Sequence, residues 1–281
     1  MGYPSPIKPA IRKLSDNVVT VSCPFSILNR FDVGARMTLF NFDGNIVAFA
    51  PLPYGDYLKD AIEVLTGDAN SDATITHLII PNHEHNLAAK SYKPTYPNAK
   101  VIAGYNVKLG EACPVDYILS EELGNKLLGS SELSILGLSE SWLDDLKIIF
   151  LAHSMNKDVV VFHKPSKSIY QGDVFFNIGA RDEDESIEQY SSATGYPENH
   201  YPFTGWSYLF RFLNPSSTLG SWLNGKFCKA GDEKSREGLE LLLSLDFDVA
   251  VPCHGNIITK DAKEVFRKTL GLSKFELKSS L

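Results

Sequence analysis

Along the first hundred residues the apolar positions fall into alternating or continuous short runs, broken by one stretch of helical spacing. Val18, Val19 and Val21 mark a strand within 17–27. Met37-Thr38-Leu39-Phe40 and Ile46-Val47-Ala48-Phe49 mark two more within 36–53. Asp43-Gly44 stands between these two as a tight hairpin turn, because both residues accept positive φ. The chain is therefore expected to open as an antiparallel meander. Over 56–67 the spacing changes, and Leu58, Ala61, Ile62 and Leu65 share one helical face capped by Gly67. Thr76-His77-Leu78-Ile79-Ile80 then reads as a buried strand that stops at Pro81, which has no backbone donor for a sheet.

The next elements repeat this rhythm. Leu87 to Tyr92 is predicted as a short helix stopped by Pro94, and 99–104 as a buried strand, which together make a β-loop-α-β unit. A helix is expected around 119–129. Strands follow at 146–151 and 158–162, a turn at 164–167, and a strand at 168–173. Leu239, Leu242 and Leu243 among Glu and Arg predict an amphipathic helix over 233–245, then a strand over 248–253 and a last helix near 260–271.

Composition narrows the function classes. The 281 residues are 43% hydrophobic and 22% charged, enough for a sizeable core. A formal net charge of -7 argues against a nucleic-acid or anionic-membrane binder, since phosphate contacts need clustered Lys and Arg. A small neutral or apolar substrate is expected instead. Cys23, Cys113, Cys228 and Cys253 are scattered and show no C-x-x-C pair, so reduced thiols are expected. No basic leader precedes an apolar core, no stretch reaches the roughly 20 apolar residues of a membrane span, and no permitted N-x-[ST] sequon occurs. A cytoplasmic location is the expectation.

The chemistry gathers at strand ends. The strand at 76–81 delivers His83, Glu84 and His85; the strand at 146–151 runs into His153; Asp173 closes the third and His254 follows the last. Carboxyl ends of strands in α/β architectures form the rim where ligands bind, and a metal site is assembled from several such ends. Each residue also admits a plain structural account. His83 and His85 can cap a helix start, His153 can be a polar residue leaving a strand, and Asp173 can serve a turn. His77 and His163 read as structural.

With these motifs in place, the chain resembles the metallo-β-lactamase-like superfamily over roughly 17–265. The resemblance rests on Pro81-Asn82-His83-Glu84-His85-Asn86, Phe162-His163-Lys164-Pro165-Ser166-Lys167-Ser168, Asp173-Val174-Phe175-Phe176-Asn177 and His254-Gly255. It points to a branch that implies no specific reaction. It implies an α/β fold, a four-layer αβ/βα sandwich, with residues 1–281 as a single domain. The superfamily's H-x-H-x-D-H motif is degenerate here. With His83 and His85 on its first histidines, Leu87 and Ala88 fall where the Asp and last His belong. Without a gap, Asn82, Glu84, Asn86 and Leu87 occupy the ligand positions.

The resemblance further implies His83, His85, His153, Asp173 and His254 as metal ligands for one zinc or iron ion. Asp173 or Glu84 would orient a water or shuttle its proton, and His254 would ligate or steady a developing oxyanion. The reaction expected is hydrolysis of an ester, lactone or thioester. The alternatives are a metal-free ligand-binding member and a mononuclear iron oxygenase. Segment 181–232 opens with the acidic run at 182–185 and is rich in aromatics, which suggests an insertion or lid, plain core packing, or a homodimer interface. As a lid it would offer Tyr201, Trp206 and Tyr208 to the substrate.

Overall fold

The computed structural model describes residues 2–181 and 187–272, so the acidic run at 182–185 lies outside the described residues. The opening meander is β1 (Ala10–Ser15), β2 (Val18–Cys23), β5 (Ala35–Phe42) and β6 (Asn45–Phe49), with a two-stranded hairpin, β3 (Ser26–Ile27) and β4 (Phe31–Asp32), between β2 and β5. Asp43 and Gly44 turn β5 into β6 with φ of 50° and 86°, as the Asp-Gly pair predicts. Helix α1 (Tyr57–Thr66) ends at Gly67, whose left-handed φ of 74° returns its N–H to Glu63. The parallel strands β7 (Thr74–Ile80), β8 (Lys100–Gly104) and β9 (Tyr117–Leu119) complete a seven-stranded sheet in the order β1-β2-β5-β6-β7-β8-β9.

The second sheet has five strands: β10 (Leu127–Leu128), β11 (Leu146–Leu151), β12 (Asp158–His163), β13 (Ser168–Gln171) and β14 (Val249–Pro252), the last pair parallel. Its helices are α2 (Ser130–Leu133), α3 (Thr218–Phe227), α4 (Glu233–Ser244) and α5 (Ala262–Thr269). The helix expected around 119–129 does not form. That stretch is divided between β9, a 3-10 turn over Glu121–Leu123 and β10, with Gly124 lying so close to Ala152 that a Cβ would collide with it. The sheet edges claim the backbone that helical propensity would have used. Leu87–Tyr92 likewise yields only a 3-10 turn over Ala89–Tyr92.

Alternation along the strands explains the layers. On β2, Val19 and Val21 face the core beneath α1, while Val18 faces the other sheet. On β11, Ile148 and Phe150 meet the first sheet, while Ile149 and Leu151 pack with Leu239 and Leu242 of α4 and Phe266 of α5. Two sheets buried on both faces need a helical layer outside each, which gives three apolar cores and four layers. This is the αβ/βα sandwich. Among the described residues, no helix is long and apolar enough to cross a membrane.

Candidate metal centre

The ends of β7, β13 and β14 lie on one rim between the sheets. Pro81 ends β7, and Asn82 caps a 3-10 turn over His83–His85, its side chain accepting the Glu84 N–H at 2.9 Å. Gly172 follows β13 where a Cβ would meet Pro81 at 2.8 Å and Asp158 Oδ2 at 2.9 Å, so only glycine lets these strand ends meet. Gly255 follows His254 at φ 80°, and a Cβ there would collide with the Asn177 carbonyl.

Three of the predicted residues come together. His85 Nε2 lies 3.4 Å and His254 Nε2 3.5 Å from the same oxygen, Asp173 Oδ1. All three ligand atoms lie within 4.8 Å of one another, and all three side chains are largely buried. His254 Nδ1 is 2.6 Å from the Gly34 carbonyl, an acceptor that fixes the proton on Nδ1 and leaves Nε2 with its lone pair toward Asp173. Asp173 Oδ2 accepts from Asn82 Nδ2 at 2.9 Å and Asn156 Nδ2 at 3.0 Å. The donor set of two imidazoles and one carboxylate suits zinc or ferrous iron, and outer contacts orient His254 and Asp173.

The electrostatics follow from these contacts. Burial works against a charged His85, but the Asp173 carboxylate outweighs it and holds the pKa of His85 above its usual value. Burial pushes Asp173 upward, and His85, His254 and Asn82 more than reverse this, so it stays ionised well below the carboxylate range. Burial lowers His254 to about 4, so it is neutral at pH 7. Asp158 also belongs here. It accepts the N–H groups of Gly172 and Asp173 and the second N–H of Asn82 at 2.6 Å, and burial beside Asp173 raises its pKa to about 7.

His83 and His153 stand apart from this group. His83 is exposed, pairing with Glu84 at 3.0 Å and lying near Asn106. The 3-10 turn has about three residues per turn, so residues two apart do not share a face as they would on a strand. His153 lies in the turn after β11 with its Nδ1 3.9 Å from Glu121. Glu84 lines the cavity above the site. Asp173 has both oxygens engaged, Oδ1 by the two imidazoles and Oδ2 by the two amides.

The cavity is lined by Phe25, Leu52, Phe176, Phe210, Leu213 and Phe227, with His85, Asp173 and His254 at its polar end. Tyr201, Trp206 and Tyr208 do not line it. Trp206 is 69% exposed beneath Arg30, and Tyr201 and Tyr208 are stacked against Arg211. The aromatic segment does supply walls, through the less polar Phe210, Leu213 and Phe227.

Sequence reasoning also passed over Arg36 and Glu188. Arg36, 2% exposed, donates to the Pro252 and Gly255 carbonyls on either side of Cys253 and His254, and pairs with Glu188 at 3.5 Å. An arginine inside the apolar strand Ala35–Phe42 was the available signal, because a buried cation needs a built partner. The thiol of Cys253 is buried, and burial pushes its pKa far above the usual value.

No family model and no curated protein matches the sequence. Solved structures match in shape. A metallo-β-lactamase from Pseudomonas aeruginosa in its mono-zinc form aligns over 96% of this chain and 97% of its own, with TM-score 0.54 and 12% identity. One from Erythrobacter litoralis, with β-mercaptoethanol in its active site, aligns over 95% and 96% with TM-score 0.55 and 10% identity. A metal-soaked flavodiiron core from Synechocystis aligns over 94% of this chain and 61% of its own, with TM-score 0.53 and 15% identity.

Proposed function

We propose that this chain, which has the metallo-β-lactamase fold, is a metal-dependent hydrolase that uses one zinc or iron ion at His85, Asp173 and His254 to cleave an ester, lactone or thioester. One observation carries the reading: two imidazole Nε2 atoms converge on a single carboxylate oxygen at the polar end of an apolar cavity. Bound there, the ion would supply Lewis acidity and a water with its pKa lowered toward about 7. Three protein donors leave room for that water and for a substrate carbonyl.

The chain's own groups have distinct tasks. The Gly34 carbonyl keeps His254 in the ligating tautomer. Asn82 and Asn156 hold Asp173 so that Oδ1 faces the imidazoles. Glu84, half in solvent and lining the cavity, moves a proton between the site and bulk water. The phenylalanine walls exclude water and strengthen each electrostatic contact.

A metal-free ligand-binding reading has one observation in its favour. His85 Nε2 already lies 3.4 Å from Asp173 Oδ1, so the two side chains can satisfy each other without a cation. Two imidazoles and a carboxylate are also the donor set of non-haem iron oxygenases. Metal analysis by inductively coupled plasma mass spectrometry on untagged protein purified without chelator separates the three. About one zinc per chain, with ester hydrolysis abolished by chelation, supports the hydrolase. Iron with substrate-dependent oxygen uptake supports the oxygenase. A folded protein that takes up no added metal sinks both.

A further inference from the structure

The cavity holds about 340 Å³. A heavy atom occupies about 30 Å³, the share of a water molecule in its liquid, so the space takes roughly eleven heavy atoms. About three of these belong to the reacting carbonyl group and about two to the ion and its water, which leaves about six carbons for a tail. The walls that would receive the tail come from four stretches of chain, Phe25 after β2, Leu52 after β6, Phe176 after Asp173, and Phe210, Leu213 and Phe227 from the aromatic segment.

The polar end is as informative as the walls. Among the described residues lining the cavity, Arg36 is the only Lys or Arg. Its Nε donates to Ser22 Oγ at 2.9 Å and its Nη1 to the Pro252 and Gly255 carbonyls at 2.6 and 2.7 Å. Its Nη2 meets Glu188 Oε1 at 3.5 Å, and the side chain is 1% exposed. A guanidinium has five N–H donors, so this one is nearly saturated and its charge is matched by Glu188. The other charged groups on the lining are the acids Asp173 and Glu84 and the His85 imidazole, which already faces Asp173 at 3.4 Å. Away from the ion, a carboxylate entering the cavity would lose its hydration and find each side chain able to carry positive charge already matched by an acid. A neutral carbonyl loses far less.

We infer that the cavity selects a neutral ester, lactone or thioester with an apolar tail of about six carbons, and discriminates against molecules bearing a carboxylate beside the scissile bond, as β-lactam antibiotics do. The scissile bond rests on the hydrolase reading above; the selection by tail and charge rests on the lining alone. The shared fold with metallo-β-lactamases thus comes with a cavity chemistry suited to a different kind of molecule.

Methyl ketones are suitable probes, because they present a neutral carbonyl that water cannot cleave. Titration calorimetry on the full chain, with and without metal, compares 2-hexanone to 2-dodecanone with the matching fatty acids. Affinity is expected to rise about fourfold per methylene up to about 2-octanone with metal bound and about 2-decanone without it, and then level off. In the metal-free protein the carboxylates are expected to bind at least about tenfold more weakly, following the cost of an unpaired buried charge. Phe210→Trp and Phe227→Trp are expected to move the plateau to shorter tails with metal content and Tm unchanged. A flat response to tail length in folded protein, or carboxylates binding as tightly as ketones without metal, overturns the inference. A protein that keeps the tail dependence but holds no metal and cleaves no ester defeats the hydrolase reading alone. A metal-loaded enzyme that cleaves only carboxylate-bearing substrates defeats the selection alone.

Discussion

The two oxygens of Asp173 look onto different chemistry. Oδ1 faces His85 and His254, each within 3.5 Å. Oδ2 faces the amides of Asn82 and Asn156, with Asp158 behind Asn82. An imidazole offers a lone pair to a cation, whereas an amide NH₂ offers only protons. One side chain therefore divides a place for a metal from a place closed by hydrogen bonds. Asn82 stands at the first ligand position of the gap-free motif register and takes up two buried carboxylates instead. A degenerate motif has here become a complete polar network, and it holds the remaining ligands in position.

The sharpest way to break this comparison is to remove the imidazoles. His85→Ala and His254→Ala are expected to weaken metal binding by about a thousandfold, about 4 kcal/mol. His83→Ala and His153→Ala are expected to stay within about twofold, since neither ring reaches the group. Competition with a chromogenic chelator reads all four. Equal losses in His83→Ala and His85→Ala would return the site to the spacing expected of a strand.

The imidazole side has a support of its own. Arg36 ties Pro252 and Gly255, and Gln189 adds a second donor to Gly255 at 2.7 Å. Burial opposes the charge on Glu188, but Arg36, Ser22 and Arg12 hold it ionised below its usual pKa. Arg36→Met should cost about 3 kcal/mol by stranding Glu188 in the interior, with the half-exposed Arg12 compensating in part. Adding Glu188→Leu should restore much of that loss in urea unfolding. On the amide side, Asn82→Ala should cost about 2 kcal/mol by leaving Asp158 and Asp173 without their shared donor. An Asn82→Ala protein as stable as the wild type would show that water replaces the amide at no cost.

Most of the fold was legible because its signals are local. The Asp43-Gly44 turn, the Gly67 cap and the runs at 146–151 and 158–162 each carry their instruction in a few residues. The stretch 119–129, expected as a helix, misled because the strands at its two ends are two or three residues long and exist only through the partners they meet. The site was legible at Asp173 and His254, where a strand delivers one side chain to the rim. It was obscured at His83 and His85, where Pro81 ends the two-residue period and Asn82 starts a tighter turn. Asn156 and Asp158 were out of reach, because their partners lie 14 to 76 residues away in sequence, whereas Arg36 showed as a cation in an apolar strand but not whom it meets.

The last comparison sets the site histidines against one that also ends a strand but serves the core. His163 is fully buried, with Nδ1 2.7 Å from Ser166 Oγ, Nε2 3.3 Å from the Asn17 amide, and Phe40 packed against the ring. Burial lowers its pKa to about 4, only partly opposed by Asp145. In the unfolded chain the same group titrates near 6.5. Between these values the unfolded chain binds a proton that the native protein does not, so the contribution of His163 is full above about pH 6.5 and is lost as pH falls toward 4. The slope should be about 1.4 kcal/mol per pH unit within that window. His163→Gln should remove this part of the slope, leaving those of His77 and His254, which burial also lowers to about 4, and the opposing one of Asp158, raised to about 7. Urea unfolding at pH 7, 6 and 5 on both proteins isolates the difference. Parallel curves would mean that His163 takes up a proton without leaving the core, and that a histidine at a strand end is tolerated there for reasons other than its neutrality.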